Sequence, residues 1–250
     1  MVRNKMADYD KNLKHSDLKI VGDSGSNGGV FNKVNIVGNA EINGDIDCQT
    51  FKCTGTAEID GSLTSKIFKT TGDVITKGSL RGGEVNLTGN LNIRGSLTVT
   101  KAQLNGEIQI EEGIAGDEIG IYGNCTVKGD CQVEHFRLKG AAQVDGMLNA
   151  ERVEMKLLGL SRAKEIVGGH IRIQPHSSWR WMSLLKNSGA PELKVEVIEG
   201  DVIWLEHTVA DVVRGGDVTI GPGCRIGLVE YRGTFHQDKQ SDIAESRNVG

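Results

Sequence analysis

Short stretches of alternating apolar and polar residues recur along most of the chain, and they repeat every 17 residues. One apolar column runs Val34, Phe51, Phe68, Val85, Ala102, Ile119, Phe136, Val153, and a second, two residues on, runs Ile36, Cys53, Thr70, Leu87, Leu104, Ile121, Leu138, Met155. Further apolar columns start at Ala40, Ile42 and Ile46, while the column between the Ile42 and Ile46 series is polar: Asn43, Asp60, Lys77, Arg94, Glu111, Lys128, Asp145. Period-two alternation over three or four residues, broken at about six-residue intervals, predicts three short strands per 17-residue block.

Glycine marks the breaks. Gly38, Gly55, Gly72, Gly89, Gly106, Gly123 and Gly140 follow one another at a spacing of 17. A second series, six residues behind, comprises Gly44, Gly61, Gly78, Gly95, Gly129 and Gly146, with Glu112 in the one vacant slot. Strands this short bury nothing alone. Coiled so that each block lies on the one before, they pair their backbones between blocks and stack equivalent side chains inside. The expected fold is all-β: a single-stranded triangular β-helix, with 17-residue rungs and glycines as structural corners where the chain turns tightly.

The array is expected over residues 30–233, in ten to eleven rungs. At ~4.8 Å per rung the rod would be on the order of 50 Å long. Past the last regular glycine, Val153/Met155 and Ile171/Ile173 read as two more rungs with eroded corners. The pattern stops over an insertion at 174–192 and resumes at Leu193, with Val195, Val212 and Val229 again 17 apart. Residues 1–29 and 234–250 are polar and unpatterned, which predicts flexible N- and C-terminal tails.

Composition agrees with a narrow core. The 250 residues include 34 Gly, 3 Pro and only 4% aromatics. Collagen and Pro/Gly-rich disorder both need proline and are excluded. The formal net charge is −4, with no Lys/Arg cluster assignable to a face, so nucleic acid is not an expected partner. The first residues, MVRNKMADYDKNLKHSDLK, contain no apolar signal region, and no apolar run reaches the ~18 residues that span a bilayer. The expected location is the cytoplasm, free or associated with a membrane surface.

Candidate chemistry is sparse. Cys48, Cys53, Cys125 and Cys131 fall in inward columns and Cys224 alternates with Ile220 and Ile226, so they read as small buried hydrophobes. CTVKGDC lacks zinc-knuckle spacing, and the six histidines neither cluster nor pair with carboxylates at a motif spacing. No catalytic, metal or cofactor site is expected. A hexapeptide-type acyltransferase, the enzymatic alternative, keeps an 18-residue turn and a histidine base between subunits, whereas the turn here is 17. The insertion gathers Trp179, Trp181, Met182, Leu184 and Leu185 beside Arg180 and Lys186. It either packs on the rod or forms a patch for a partner or a membrane surface, which would suit a monomeric adaptor.

A β-helix has two ends with unpaired backbone groups, and no amphipathic capping helix is evident at either. Val34, Ile36 and Phe51 at one end and Val229 and Tyr231 at the other are the candidate self-association positions. Stacking of subunits would give a filament. No nucleotide-binding motif is evident.

The Gly-cornered blocks VNIVGNAEINGDIDC and VNLTGNLNIRGSLTV resemble the bactofilins, polymer-forming bacterial cytoskeletal proteins, over about residues 30–156. The segment VIEGDVIWLEHTVADVVRGGDVTIGPGCRIGLVEY resembles the closing part of longer bactofilin-like proteins of spore-forming bacteria. The resemblance implies a right-handed β-helix and a non-enzymatic scaffold that assembles without nucleotide and organises envelope-associated machinery for cell shape or motility. The implied partners are further copies of the chain, a related bactofilin, and envelope or motility proteins. Two features depart from the family pattern: a longer core and the Trp-bearing insertion.

Overall fold

The structure, a computed structural model, describes residues 15–177 and 190–250. Among these every regular element is a strand: β1 (Leu18–Asp60), β2 (Leu63–Thr76), β3 (Leu80–Ile93), β4 (Leu97–Ile110), β5 (Ile114–Val127), β6 (Cys131–Leu157), β7 (Ser161–Pro175), β8 (Leu193–Leu205), β9 (Thr208–Ile220), β10 (Arg225–Tyr231), β11 (Phe235–Gln237) and β12 (Asp242–Asn248). They form one sheet of parallel pairs in chain order from β1 to β10, with β12 on β10 and β11 on β9. The chain is a β-solenoid.

From β1 to β6 the register is the predicted 17, as in Phe51 opposite Phe68 and Ile108 opposite Cys125. Each rung turns two residues inward on each of three sides. In the rung starting at Leu97 these are Leu97 and Val99, Ala102 and Leu104, Ile108 and Ile110, all at most 3% exposed. We name the sides after early members: the Ile46, Phe51 and Ala57 sides. Burying one such aliphatic contributes about 1.5–3 kcal/mol, but only when the next rung covers it. Ladder stacking also sets ring geometry. Phe51 and Phe68, equivalent on adjacent rungs, stack with centroids 5.2 Å apart and planes within 6°, close to the ~4.8 Å strand spacing.

Outward positions form polar ladders. Asn90 Nδ2 donates to Asp73 Oδ1 (2.8 Å), and the Ser79 and Ser96 hydroxyls lie 3.2 Å apart. Corners are tied by aspartates that accept a backbone N–H from the following rung: Asp45 from Ser62 (2.7 Å), Asp130 from Met147 (2.8 Å) and Asp217 from Thr234 (2.8 Å).

The two glycine series do different work. The first, from Gly38 to Gly140, has positive φ throughout, and a Cβ there would overlap backbone of the preceding rung; Gly106, at φ +134°, sits on the Gly89 carbonyl oxygen. In the second series Gly95 has ordinary φ, and a Cβ would meet the Ser79 backbone nitrogen at 2.8 Å. The first series is required by conformation and approach together; in the second, Gly61, Gly78, Gly95, Gly129 and Gly146 are required by approach alone, whereas Gly44 has a positive φ and open space around it.

Three expectations change. Past β6 the 17-residue period fails: Leu148 lies opposite Ile166, Leu193 opposite Thr208, and Val209 opposite Arg225. Val195, Val212 and Val229 therefore do not stack. Val195 faces Ala210, Val212 faces Val197 and Leu228, and Val229 faces Val213. Corners lengthened or shortened by one or two residues keep the sides in register while breaking the sequence period. Secondly, neither terminal segment is a tail over its described part. Residues 18–29 belong to β1, and β11 and β12 add pairing beyond residue 233. Their polar look reflects a rung that has solvent on one side. Thirdly, the break in the pattern is narrower than 174–192 among the described residues, because Gln174 and Pro175 still belong to β7. β7 pairs directly with β8, Ser161 opposite Leu193, so the stack continues across the insertion. Trp179, Trp181, Met182, Leu184 and Leu185 lie outside the described residues.

Candidate functional site

The inward columns hold no reactive chemistry. All five cysteines are free and buried. Desolvation raises each thiol pKa, that of Cys53 and Cys224 to about 11 and that of Cys125 to about 12, and Cys131 higher still. At neutral pH such thiols stay protonated and inert. Among the described residues no group of three or more His, Cys, Asp or Glu side chains is placed to hold a metal ion. No described helix is long and apolar enough to cross a membrane.

The rod's ends are therefore the first candidate site, and the structure relocates them. Val34, Ile36, Phe51 and Val229 are completely buried. They lie inside the stack because a further rung covers each end. Ser16 accepts the Asn32 N–H at 3.0 Å and Gly38 lies over Gly22, a step of 16 that places Leu18 and Ile20 over Val34 and Ile36. At the other end Val229 is covered by Ser246 of β12. The residues that close the core are partly buried: Leu18 and Phe31 at one end, Tyr231, Phe235 and Ile243 at the other. Tyr231 lies near its end of the rod, and its ring stacks on Phe235 at 5.1 Å, inclined by 23°. Among the described residues, the outer edges of the first rung of β1 and of β12 have no strand partner.

A second constellation lies along one corner of the C-terminal half. Glu199, Arg214, Glu230 and Arg247 stand directly opposite one another on successive rungs. Arg214 reaches Glu199 at 2.7 Å and Glu230 at 2.6 Å, and Arg247 contacts Glu230 from the other side. Hydrogen bonds from Arg247 and then Arg214 hold the Glu230 carboxyl below the ordinary glutamate range. Glu199 and Glu230 likewise raise the Arg214 guanidinium. The groove beside this ladder, about 470 Å³, is also lined by Glu151, Asp201 and Arg232. Because each arginine is held by a carboxylate, the ladder fastens β8, β9, β10 and β12 together. The sequence hides it, since its members are 15, 16 and 17 residues apart.

A third feature is an exposed aromatic on the Phe51 side. Trp204 follows Arg172 in the register, and the Arg172 guanidinium carbon lies 4.9 Å from the Trp204 ring centroid. Sequence spacing does not reveal it, because its place on an outward column depends on the shifted register.

Two curated proteins of Bacillus subtilis (strain 168) are similar to the chain over 105 residues. One is the uncharacterized protein YhbE, 40% identical across 42% of this chain and 44% of its own length. The other is the uncharacterized protein YhbF, 37% identical across 42% of this chain and 42% of its own length. The chain thus matches less than half the length of these relatives. No family model matches it, and no solved structure does. The chain is a parallel β-solenoid similar over part of its length to YhbE and YhbF.

Proposed function

We propose that the protein is a structural scaffold that assembles end to end into filaments without nucleotide, in the manner of the bactofilins its glycine-cornered rungs resemble. The observation that carries this reading is the pair of ends. Each carries a parallel strand edge without a partner among the described residues, beside partly buried apolar side chains: Leu18 and Phe31 at one end, Phe235 and Ile243 at the other. Such an edge is a template for a further strand. A joint between two copies would pair those backbone groups and cover the exposed parts of these side chains, adding both ladder hydrogen bonds and apolar burial. The role in the cell that follows is organisation of envelope-associated machinery for cell shape or motility, with further copies, a related bactofilin and proteins of that machinery as partners and the cytoplasm as its location. The rod's stacked interior suits a rigid element rather than a catalyst.

Negative-stain microscopy and sedimentation velocity of the purified chain, without added nucleotide, test the proposal. Filaments or large assemblies are expected, and Phe31→Lys or Ile243→Lys should shorten or abolish them while far-UV circular dichroism keeps the β signature. A monomeric profile at all salt and protein concentrations would refute it.

A further inference from the structure

The three sides of the rod differ in charge, although the chain as a whole carries −4. On the Phe51 side basic residues gather in three consecutive rungs. Arg137 and Lys139 stand on the first, Arg152 and Lys156 on the second, and His170 and Arg172 on the third. All are exposed except Lys139, which is half-buried. The facing carboxylates are fewer. Glu118 is already shared between Lys101 (3.1 Å) and Arg137 (3.3 Å), Glu154 lies opposite Arg172, and Glu206 accepts the Trp204 indole N–H at 3.3 Å. His170 lies 4.0 Å from Glu151 at the corner. Lys139, Arg152 and Lys156 make no ion pair among the described residues. The field they set up is felt nearby: burial, then Lys139 and Lys156, hold the His176 imidazole below its ordinary value.

Beside these cations lie large apolar groups in solvent. Trp204 is 41% exposed and Val202 42%, and both line a shallow groove of about 260 Å³ with Arg152, His170 and Arg172. Tyr122, opposite Lys139 in the register, is 49% exposed. Aromatic rings with a polar tip, set among long basic side chains, are the composition that settles at a lipid headgroup boundary.

We propose that this face, centred on Arg137, Lys139, Arg152, Lys156, Arg172 and Trp204, docks flat on an anionic lipid surface. Its charges stand on three consecutive rungs, about 10 Å from first to third at the rung spacing, with Trp204 one rung further, and such an array suits an extended anionic plane better than a single acidic peptide. The net charge of the rest of the chain is more negative than −4 once this basic face is set aside. Each Lys or Arg held near such a surface strengthens binding about fivefold. Salt weakens the attraction by screening it.

Vesicle flotation of the full chain separates bound protein from assemblies that merely sediment. The chain should float with phosphatidylcholine vesicles containing 30% phosphatidylglycerol (about that fraction is enough for a strongly anionic surface), and should stay at the bottom with pure phosphatidylcholine or in high salt. Lys139→Gln/Arg152→Gln/Lys156→Gln should lower binding about a hundredfold, at about fivefold per charge, with circular dichroism unchanged. Trp204→Ala, on an exposed position, should lower it several-fold. Unaltered flotation of the triple variant would overturn the proposal by placing the contact elsewhere. Equal binding to neutral vesicles would overturn it too. Binding to soluble polyglutamate with no flotation would replace lipid by an acidic polypeptide as the occupant.

Discussion

Substituting alanine at three glycines separates the two reasons this fold needs the residue. Gly106 has φ +134°, and a Cβ there would overlap the Gly89 carbonyl oxygen, a backbone atom that cannot swing aside. Gly44 has a similar φ, +104°, but the nearest atoms to its Cβ would be 3.9 Å away. At Gly25 φ is not positive and the nearest contact, the Glu41 carbonyl oxygen at 3.5 Å, is ordinary. Backbone strain alone costs about 1–3 kcal/mol, which is the expectation for Gly44→Ala. Gly106→Ala adds a forced separation of two rungs, and losing even two ladder hydrogen bonds at about 1 kcal/mol each brings its cost to about 3–5 kcal/mol. For Gly25→Ala the reduced freedom of the unfolded chain is the dominant effect, so stability should be unchanged or higher by about 0.4–1 kcal/mol. Thermal unfolding followed by far-UV circular dichroism reads this order. For a chain of this size 1 kcal/mol moves the midpoint by about 2–4 °C, so Gly106→Ala should melt at least about 6 °C below the parent. The reasoning fails if Gly106→Ala melts with the parent, or if Gly44→Ala costs as much as Gly106→Ala.

Three further outcomes follow from the core and the corner ladder. Thr70 Oγ1 is buried with no hydrogen-bond partner among the described residues; Thr70→Val, which keeps the shape and removes the unpaired hydroxyl, should raise stability by about 1 kcal/mol in urea titration. Cys125, whose thiol is raised to about 12, and Cys131, raised further, are buried; at pH 8 they should react with a disulfide reagent only as fast as the chain opens, and fully in denaturant. Because the Glu230 pKa is lowered on folding, by hydrogen bonds from Arg247 and Arg214, its stabilising contribution is complete above the ordinary glutamate value of ~4.3 and is lost as pH falls through the lower folded value. Urea midpoints measured from pH 6 to pH 3 should fall more steeply in the parent than in Glu230→Gln, which lacks the titrating group; parallel curves would refute the coupling.

The scaffold reading and the lipid-facing side are compatible in geometry. The proposed assembly would use the two ends of the rod, and the proposed lipid contact one of its three flanks. A filament built by adding copies would repeat the basic face along its length only if each joint preserves the orientation of the sides. Regular continuation of the parallel ladder does this. Weak contacts on each copy would then add along one filament, since linked sites bind with a raised effective concentration.

Residues 34–157 declare their structure in the sequence because every rung there has the same length. A constant rung length puts chemically equivalent residues at a constant spacing, so the inward columns, the corner glycines and the burial of Cys53, Cys125 and Cys131 could all be read by counting. The ends could not be read in this way. Leu18, Phe31 and Ile243 belong to rungs with solvent on one side, whose outward and end-facing residues are polar, and the alternation that marks a strand fades there. The C-terminal half escaped for a different reason. Its corners differ in length by one or two residues, which leaves the stack intact but scrambles the period, so Val195, Val212 and Val229 look aligned in sequence and are not aligned in space. Sequence alone therefore determined the type of fold, the identity of its core and the role of its glycines, since these depend on contacts repeated from rung to rung. The tertiary structure decided where the rod ends, which charges form the ladder from Glu199 to Arg247, and that Arg137, Arg152, Arg172 and Trp204 share one face. Those relations depend on the register at each corner, and a corner can gain or lose a residue without changing the pattern on either side of it.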